Sequence, residues 1–544
     1  MAIPIFIRAR LNGPTVWNCD IAGSDLMLLR TLAHLFMLLG LTTSLQASER
    51  PNILFIMSDD HAVRAVSAYG NSLVQTPSID RIAKNGMRFD RAYVGNSICG
   101  PSRATMLTGL HSHANGFYSN EWSGAFDGTQ QTVADLLQNA GYNTAVIGKW
   151  HLYSDPIGFD HWEVIHNLFE QGTYYNPEFR SEKGVEITNG YVADLITDKA
   201  IAWLQSVSTS PEPFFLVYNH KTPHRDWLPG PAELDQWIED LKIEEPSTLT
   251  RDTTGLSKAR REARMSIADY MTDRDVKLSQ PENLTDAQAA KWHQAFDDGN
   301  EKFEKGEWTP EERLRWKYQR YIKTYTGSVE SMDREIGRLL DYLERSGLED
   351  NTIVIYTSDQ GFFLGENGWF DKRWMDEASS RTPLLIQWPG HIEPGSVSTS
   401  MVQNIDFAPT LLDAAGIVPE EAMHGVSLLP VFNKPEHFQQ RDLYYHFYEN
   451  PGFHGVARHY GVHTGRYKLI HYYRNDEWEL FDLETDPQEL KNLYGQAGYE
   501  DVTGDLEKRL AALRRQYQVP EQDPEAPWYH DTLIRAFEHL MQIL

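Results

Sequence analysis

The chain is poor in cysteine, in positive charge and in long apolar runs. Only Cys19 and Cys99 occur among 544 residues, too few for the disulfide framework that small exported scaffolds depend on. Lys and Arg number 50 against 77 Asp and Glu, a formal net charge of −27. Nucleic acid needs a basic footprint, so it is excluded as a partner, and broad adhesion to an acidic membrane surface is disfavoured on the same ground. An anionic substrate must then be held by a local cluster of cations working against an unfavourable global field. There is no internal repeat and no long low-complexity segment. The rest is globular composition, 41% hydrophobic, 23% charged and 12% aromatic, which is not that of a disordered chain. Such a length accommodates two to four domains, or one large α/β core.

The longest apolar run lies near the N-terminus. "MLLRTLAHLFMLLGLTTSLQASE" begins at Met27 and places Arg30 before a hydrophobic stretch, then small polar residues to Ala47. A bilayer span takes about 20 apolar residues, and this run is about half that, so it reads as an export signal and not a stable anchor. A buried or re-entrant helix is the alternative. Residues 1–47 are thus expected to be a leader, with Met27 as the native start, and the protein periplasmic or secreted. Cleavage near Ala47 removes Cys19 and leaves Cys99 alone. A lone thiol in an oxidising compartment is either buried and inert or reactive.

Beyond the leader one pattern recurs. "PNILFIM" runs into Ser58, Asp59, Asp60 and His61; "YNTAVIG" into Lys149, Trp150 and His151; "EPFFLVY" into Asn219 and His220; "NTIVIYT" into Ser358, Asp359 and Gln360. Each run is short, nearly all apolar and β-branched, as suits a strand covered on both faces in a parallel sheet. Helical patterns separate them. The clearest opens at Thr309, with Pro310 at the first helical position and Glu312 completing a capping box, and stops before Gly347. The expected fold is α/β, a large mostly parallel sheet flanked by helices, with ligands binding at the carboxyl ends of the strands.

Those ends carry chemistry. Asp59 and Asp60, meeting Asp359 from a distant strand, would repel if desolvated unpaired. A hard divalent cation resolves the conflict, with Gln360 adding a carbonyl oxygen, and oxygen-only donors favour calcium or magnesium over zinc. The alternative is that Asp59 and Asp60 only cap the next helix. In "SICGPSRATMLTG" (97–109), Pro101 is placed to start a helix, Cys99 lies at its amino terminus where the dipole attracts an anion, and Arg103 is four residues on. A plain thiolate beside a calcium-type site makes little chemical sense.

Cys99, Pro101, Ser102 and Arg103 form C-x-P-S-R, which resembles the signature of the type I sulfatases, within the alkaline phosphatase superfamily. "NILFIMSDD", "GKWH", "YTSDQGFFLGENGWFDKR" and "ELFDLETDPQELKNL" resemble further family motifs in the same order, so the likeness spans residues 50–495. It implies that a maturation enzyme oxidises Cys99 to Cα-formylglycine, whose hydrate is the nucleophile. Asp59, Asp60, Asp359, Gln360 and modified Cys99 would bind Ca²⁺, with Mg²⁺ second. Arg103, Lys149 and Lys372 would neutralise the sulfate. His220 would protonate the departing alcohol and His151 would promote breakdown of the sulfated hydrate.

Other residues follow less directly. His224, Arg225, Trp227, Trp369, Arg373 and Trp374 flank catalytic positions and suit a sugar-binding wall, with surface or core packing as the alternative. Residues 231–308 read as a polar insertion, either a pocket rim or a solvated flap. The chain divides into a catalytic domain at 50–430 and a smaller α+β domain at 435–544, where "YKLIHYYRN" and "EWELFDLE" suggest antiparallel strands and "TGDLEKRLAALRRQYQ" a helix. The expected activity is hydrolysis of sulfate esters on a sulfated mono- or oligosaccharide, at or near a chain end. The alternatives are a phosphoester or phosphonate hydrolase of the same superfamily and a silent sulfated-glycan-binding protein. "GWFDKR" resembles bacterial carbohydrate sulfatases, including those acting on 6-sulfated hexosamines.

Overall fold

In the run "NILFIM" alternate side chains point to opposite faces, and every one is apolar enough to be buried. A computed structural model of the chain shows both faces covered. It describes residues 50–70, 72–167, 169–252, 256–433, 438 and 440–543. The leader, with Cys19 and Met27, lies outside the described residues. Ile53, Phe55 and Met57 enter one core, against Leu107, Leu137 and Leu411 from the helices Cys99–Thr108, Val133–Asn139 and Phe407–Ala414. Leu54 and Ile56 enter another, against Ile79, Ile196 and Ile336 from the helices Pro77–Lys84, Val192–Val207 and Pro310–Ser346. Burying each such side chain is worth ~1.5–3 kcal/mol, which is what holds three layers together.

The large sheet has ten strands. Its middle is parallel, in the order Thr352–Ser358, Asn52–Ser58, Phe214–Asn219, Asn143–Gly148, His161–His166, so the four apolar runs of the sequence are contiguous neighbours. Antiparallel pairings flank this middle, Leu384–Gln387 on one side and Glu178–Ser181 with Gly184–Ile187 on the other. The expected long helix is Pro310–Ser346, with the Thr309–Glu312 capping box formed and Gly347 closing it in the left-handed conformation (φ 72°).

The last strand of the large sheet is Ser396–Ser398, and a second, four-stranded antiparallel sheet begins at Leu443–Phe447 and continues through His459–His463, Tyr467–Tyr472 and Glu477–Asp482. Leu506, Leu510 and Leu513 of the helix Glu500–Gln516 cover one face of it, beside Val462 and Leu469. Its other face, with Tyr445, Ile470 and Phe481, packs on Trp369, Trp374 and Met375 from the large unit. The small sheet therefore underlies the segment from Trp369 to Met375. No helix among the described residues is long and apolar enough to cross a membrane.

Candidate active site

Register places the site. Ser58 pairs with Ser358, and Met57 and Gly148 both pair with Asn219, so four strands end at one level. Gly148 has φ 107°, and a Cβ there would stand 1.8 Å from the Asn219 carbonyl oxygen that Lys149 N–H uses at 2.9 Å. That close approach turns Lys149 and His151 into the cluster. Asp60 (φ 67°), His151 (φ 58°), Asp371 (φ 81°) and Arg373 (φ 92°) all hold left-handed backbone, rare for residues with side chains and concentrated where function demands an unusual direction.

Asp59, Asp60 and Asp359 are buried, and one oxygen from each lies within 4.8 Å of the others. Each meets a cation. Lys149 Nζ donates to Asp59. Arg103 donates through Nε and Nη2 to Asp359 Oδ2 at 3.1 and 2.8 Å, and Lys372 Nζ is 2.7 Å from Asp60 Oδ2. Burial pushes Asp59 up, but Lys149, His224 and Arg103 outweigh it and hold that carboxyl well below the usual range. Burial raises Asp60 to about 6 against the pull of Lys372, and burial with Asp59 raises Asp359 to about 7 against Arg103. Three side-chain cations balance three carboxylates in formal charge, yet burial keeps Asp60 and Asp359 raised, so further positive charge would be accepted there. Gln360 Nε2 donates to Asp60 and Asp359 at 2.5 and 2.8 Å, while its buried Oε1 has no hydrogen-bond partner among the described residues. An acidic cluster with a spare amide oxygen beside it fits a hard, oxygen-seeking divalent cation.

Cys99 begins the helix Cys99–Thr108, which ends on left-handed Gly109 (φ 67°). Its Sγ is 3.5 Å from Asp59 Oδ1 and 3.7 Å from Gln360 Nε2. Burial pushes the thiol up, with Asp59 adding to the shift and Lys372 opposing it, so it stays protonated near neutrality despite its place at the helix start. As a thiol it is no nucleophile.

Three histidines follow the strands Asn143–Gly148 and Phe214–Asn219, which end at the cluster. His220 is buried with neither ring nitrogen partnered among the described residues, and burial lowers its pKa to about 3. His151 is held neutral by burial and by Lys149, and its Nδ1 is likewise unpartnered. His224, also a candidate for the sugar wall, brings Nε2 to 3.6 Å from Asp60 and groups with Asp59 and Cys99.

The other wall candidates divide. Arg225 is committed to Asp275 through two hydrogen bonds of 2.6 and 2.5 Å. Arg373 pairs with Asp371, and its Nε is 3.5 Å from Glu449. The tryptophans correct the expectation. Trp227, Trp369 and Trp374 are 0%, 4% and 0% exposed. A sugar ring needs an open aromatic face, whereas Trp369 and Trp374 stack on each other at 5.7 Å and Arg260 stands 5.2 Å over Trp374. The solvated-flap reading of 231–308 falls with the same residue. Arg260, from that insertion, is buried and binds Asp376 at 2.8 and 3.0 Å and Glu479 at 2.7 Å, tying insertion, large unit and small sheet together.

Sequence reasoning missed Gln171, Asp371, Glu449 and His454. Asp371 lies inside "GWFDKR", beside the predicted Lys372. His454 Nε2 is 3.3 Å from Asp371, and Glu449 accepts from Ser119 and the Asn120 N–H at 2.8 Å each. Gln171, Glu449 and His454 sit in no chemical motif, and only tertiary packing brings them in.

The family model described as Sulfatase matches residues 51–417, and that described as N-sulphoglucosamine sulphohydrolase, C-terminal, matches residues 365–516. The chain is 44% identical over 500 residues to an N-acetylglucosamine-6-O-sulfatase of Bacteroides thetaiotaomicron, covering 88% of each. It is 28% identical to an arylsulfatase of Clostridium perfringens, over 85% of this chain and 94% of that one. A solved structure of a protein in complex with its substrate D-glucosamine-2-N,6-O-disulfate matches with TM-score 0.84 and 44% identity, over 87% of this chain and 99% of that one. A phosphonate monoester hydrolase of Silicibacter pomeroyi matches with TM-score 0.64 and 20% identity, over 86% and 96%, a likeness of fold alone. With the C-x-P-S-R helix, its buried carboxylates and its cations already in place, these matches settle the family: the chain belongs to the sulfatases.

Proposed function

We propose that this sulfatase removes the 6-O-sulfate from a glucosamine residue at or near the end of a sugar chain, using Cys99 as formylglycine and a bound Ca²⁺. The observation that carries this reading is the convergence of Arg103, Lys149 and Lys372 with Asp59, Asp60 and Asp359 on Cys99. The 6-O-sulfated sugars named for the 44% identical curated relative and for the 44% identical solved structure support the substrate class. The ion would be held by Asp59, Asp60, Asp359, residue 99 and Gln360, whose amide would flip to exchange the nitrogen that now faces the carboxylates for its unpartnered oxygen. Bound there, the cation supplies fixed positive charge and the aldehyde hydrate an oxygen nucleophile in place of the thiol.

The chain's own residues do the rest. Arg103, Lys149 and Lys372 bind the sulfate and the charge that develops on it. His220 presents a ring N–H to the departing alcohol oxygen. Asp371 and Arg373 flank Lys372 with side chains suited to sugar hydroxyls, braced by His454 and Glu449. Since Cys99 is buried, a maturation enzyme must reach it before the chain closes around it. Export through the leader places the enzyme with extracellular glycans, and a pocket with its own cations admits one sulfated residue despite the −27 charge.

A panel of defined sugars sulfated at N2, O3, O4 or O6, with aryl sulfate, choline sulfate and aryl phosphate, tests the reading through sulfate or phosphate release. Glucosamine 6-sulfates should turn over best. Preference for aryl phosphate, activity confined to choline sulfate, or action only on internal units of long polymers would sink it.

A further inference from the structure

Gln171 lies in a turn that its neighbours hold in place. Its N–H donates to Asn167 Oδ1 at 3.0 Å. Glu170, in left-handed backbone (φ 50°), accepts the Tyr153 N–H at 2.9 Å and lies 3.4 Å from Arg180. The Gln171 amide so placed spans two catalytic side chains. Oε1 accepts from Lys149 Nζ at 2.7 Å, and Nε2 stands 3.0 Å from His151 Nε2.

Hydrogen-bond chemistry dictates the direction of this chain. An ammonium is a donor only, so Lys149 can face only the amide oxygen, which leaves the amide NH₂ for His151. A neutral imidazole has one donor and one acceptor nitrogen, and the one facing an NH₂ must accept. The proton of His151 therefore resides on Nδ1, the buried nitrogen without a partner among the described residues. We propose that Gln171 is a positioning residue, which tethers Lys149 and fixes the proton of His151 on Nδ1, so that a single tautomer of the ring is held beside the cluster. This rests on the assignment of His151 to the catalytic site made above.

The test uses the full-length, matured protein labelled with ¹⁵N-histidine, the His151 signal being identified by its loss in His151→Ala. The native spectrum should show His151 protonated at Nδ1. Gln171→Glu keeps an acceptor for Lys149 but offers His151 only oxygen, so the proton should move to Nε2. Because general acid–base groups contribute about 10²–10⁴ in rate, kcat should fall about ten- to a hundredfold with KM nearly unchanged. Gln171→Met, similar in size but without either hydrogen bond, should lower kcat and raise KM together, since Lys149 loses its tether. A purely structural role would move neither the tautomer nor the split between kcat and KM. A native His151 protonated at Nε2, or Gln171→Glu with tautomer and kcat unchanged, overturns the proposal. If His151→Ala retains native kcat, the catalytic assignment of His151 fails instead, and the ¹⁵N spectrum still decides what Gln171 does.

Discussion

Ser58 and Ser358 are register partners on adjacent parallel strands, and the residue after each is a buried aspartate of the same cluster. The link continues in the backbone. Asp359 N–H donates to Ser58 O at 3.2 Å, and Asp60 N–H donates to Asp359 Oδ1 at 3.1 Å. The carboxylates are thus held together by the sheet ladder itself before any ion binds. A slip of one residue between these strands would send the aspartates to opposite faces.

Metal removal follows from the donor set. Prolonged chelation should abolish turnover, and Ca²⁺ should restore it better than Zn²⁺, because the proposed protein side-chain donors are all oxygens. Gln360→Leu should weaken Ca²⁺ affinity about tenfold or more by removing one of few neutral oxygen donors. Metal analysis alongside activity decides it, and full turnover by protein shown to be metal-free would remove all four side chains from the role.

Residue 99 can be read directly. Peptide mass analysis should find it as the aldehyde, lighter than cysteine by the difference between a thiol and an aldehyde. Cys99→Ala should lose essentially all turnover while melting within a few degrees of the native protein, because the change trims one buried sulfur. A chain fully active with an intact Cys99 thiol would end the formylglycine reading.

Arg260 should matter for stability although it touches no substrate. Arg260→Met leaves Asp376 and Glu479 buried without their partner, a loss of about 3–5 kcal/mol. Denaturant unfolding measures it. Asp376 closes the segment that carries Lys372 and Arg373, so activity should decline in parallel. A loss below about 1 kcal/mol would show the tie to be incidental.

Acid should destabilise the small sheet through His459. Its Nδ1 donates to Ala457 O at 2.8 Å, its Nε2 is buried and unpartnered among the described residues, and burial lowers its pKa from 6.5 to about 3. The unfolded chain therefore binds a proton across this window that the folded chain refuses. Stability is complete above pH 6.5 and falls as pH drops towards 3, by up to about 1.4 kcal/mol per pH unit for this group. Calorimetric Tm against pH should show the decline, and His459→Phe should make it shallower by one group's share, the buried His446 and His463 of the same sheet keeping theirs; an equally steep decline in that variant would assign the effect elsewhere.

The sequence alone determined whatever depends on local order. Apolar β-branched runs such as "NILFIM" can be satisfied only by burial on both faces, so the four central strands were legible, as was the helix from Pro310 with its cap at Thr309 and its stop at Gly347. Motif spacing placed Cys99 at a helix start and Lys149, His220 and Lys372 just after strands, because such ends follow directly from the apolar runs and the proline. Tertiary structure decided what depends on partners far along the chain. Trp369 and Trp374 looked like a sugar platform because a sequence shows aromatic character without showing what lies on the ring, and here it is Arg260, more than a hundred residues away. His224 and Arg225 are adjacent, yet one turns to Asp60 and the other to Asp275, a choice made by the insertion that supplies the second carboxylate. Gln171 and Glu449 belong to no motif, since a neutral amide or a lone carboxylate acquires its role only from the cation or imidazole placed against it. That placement is a property of packing, which no local pattern encodes.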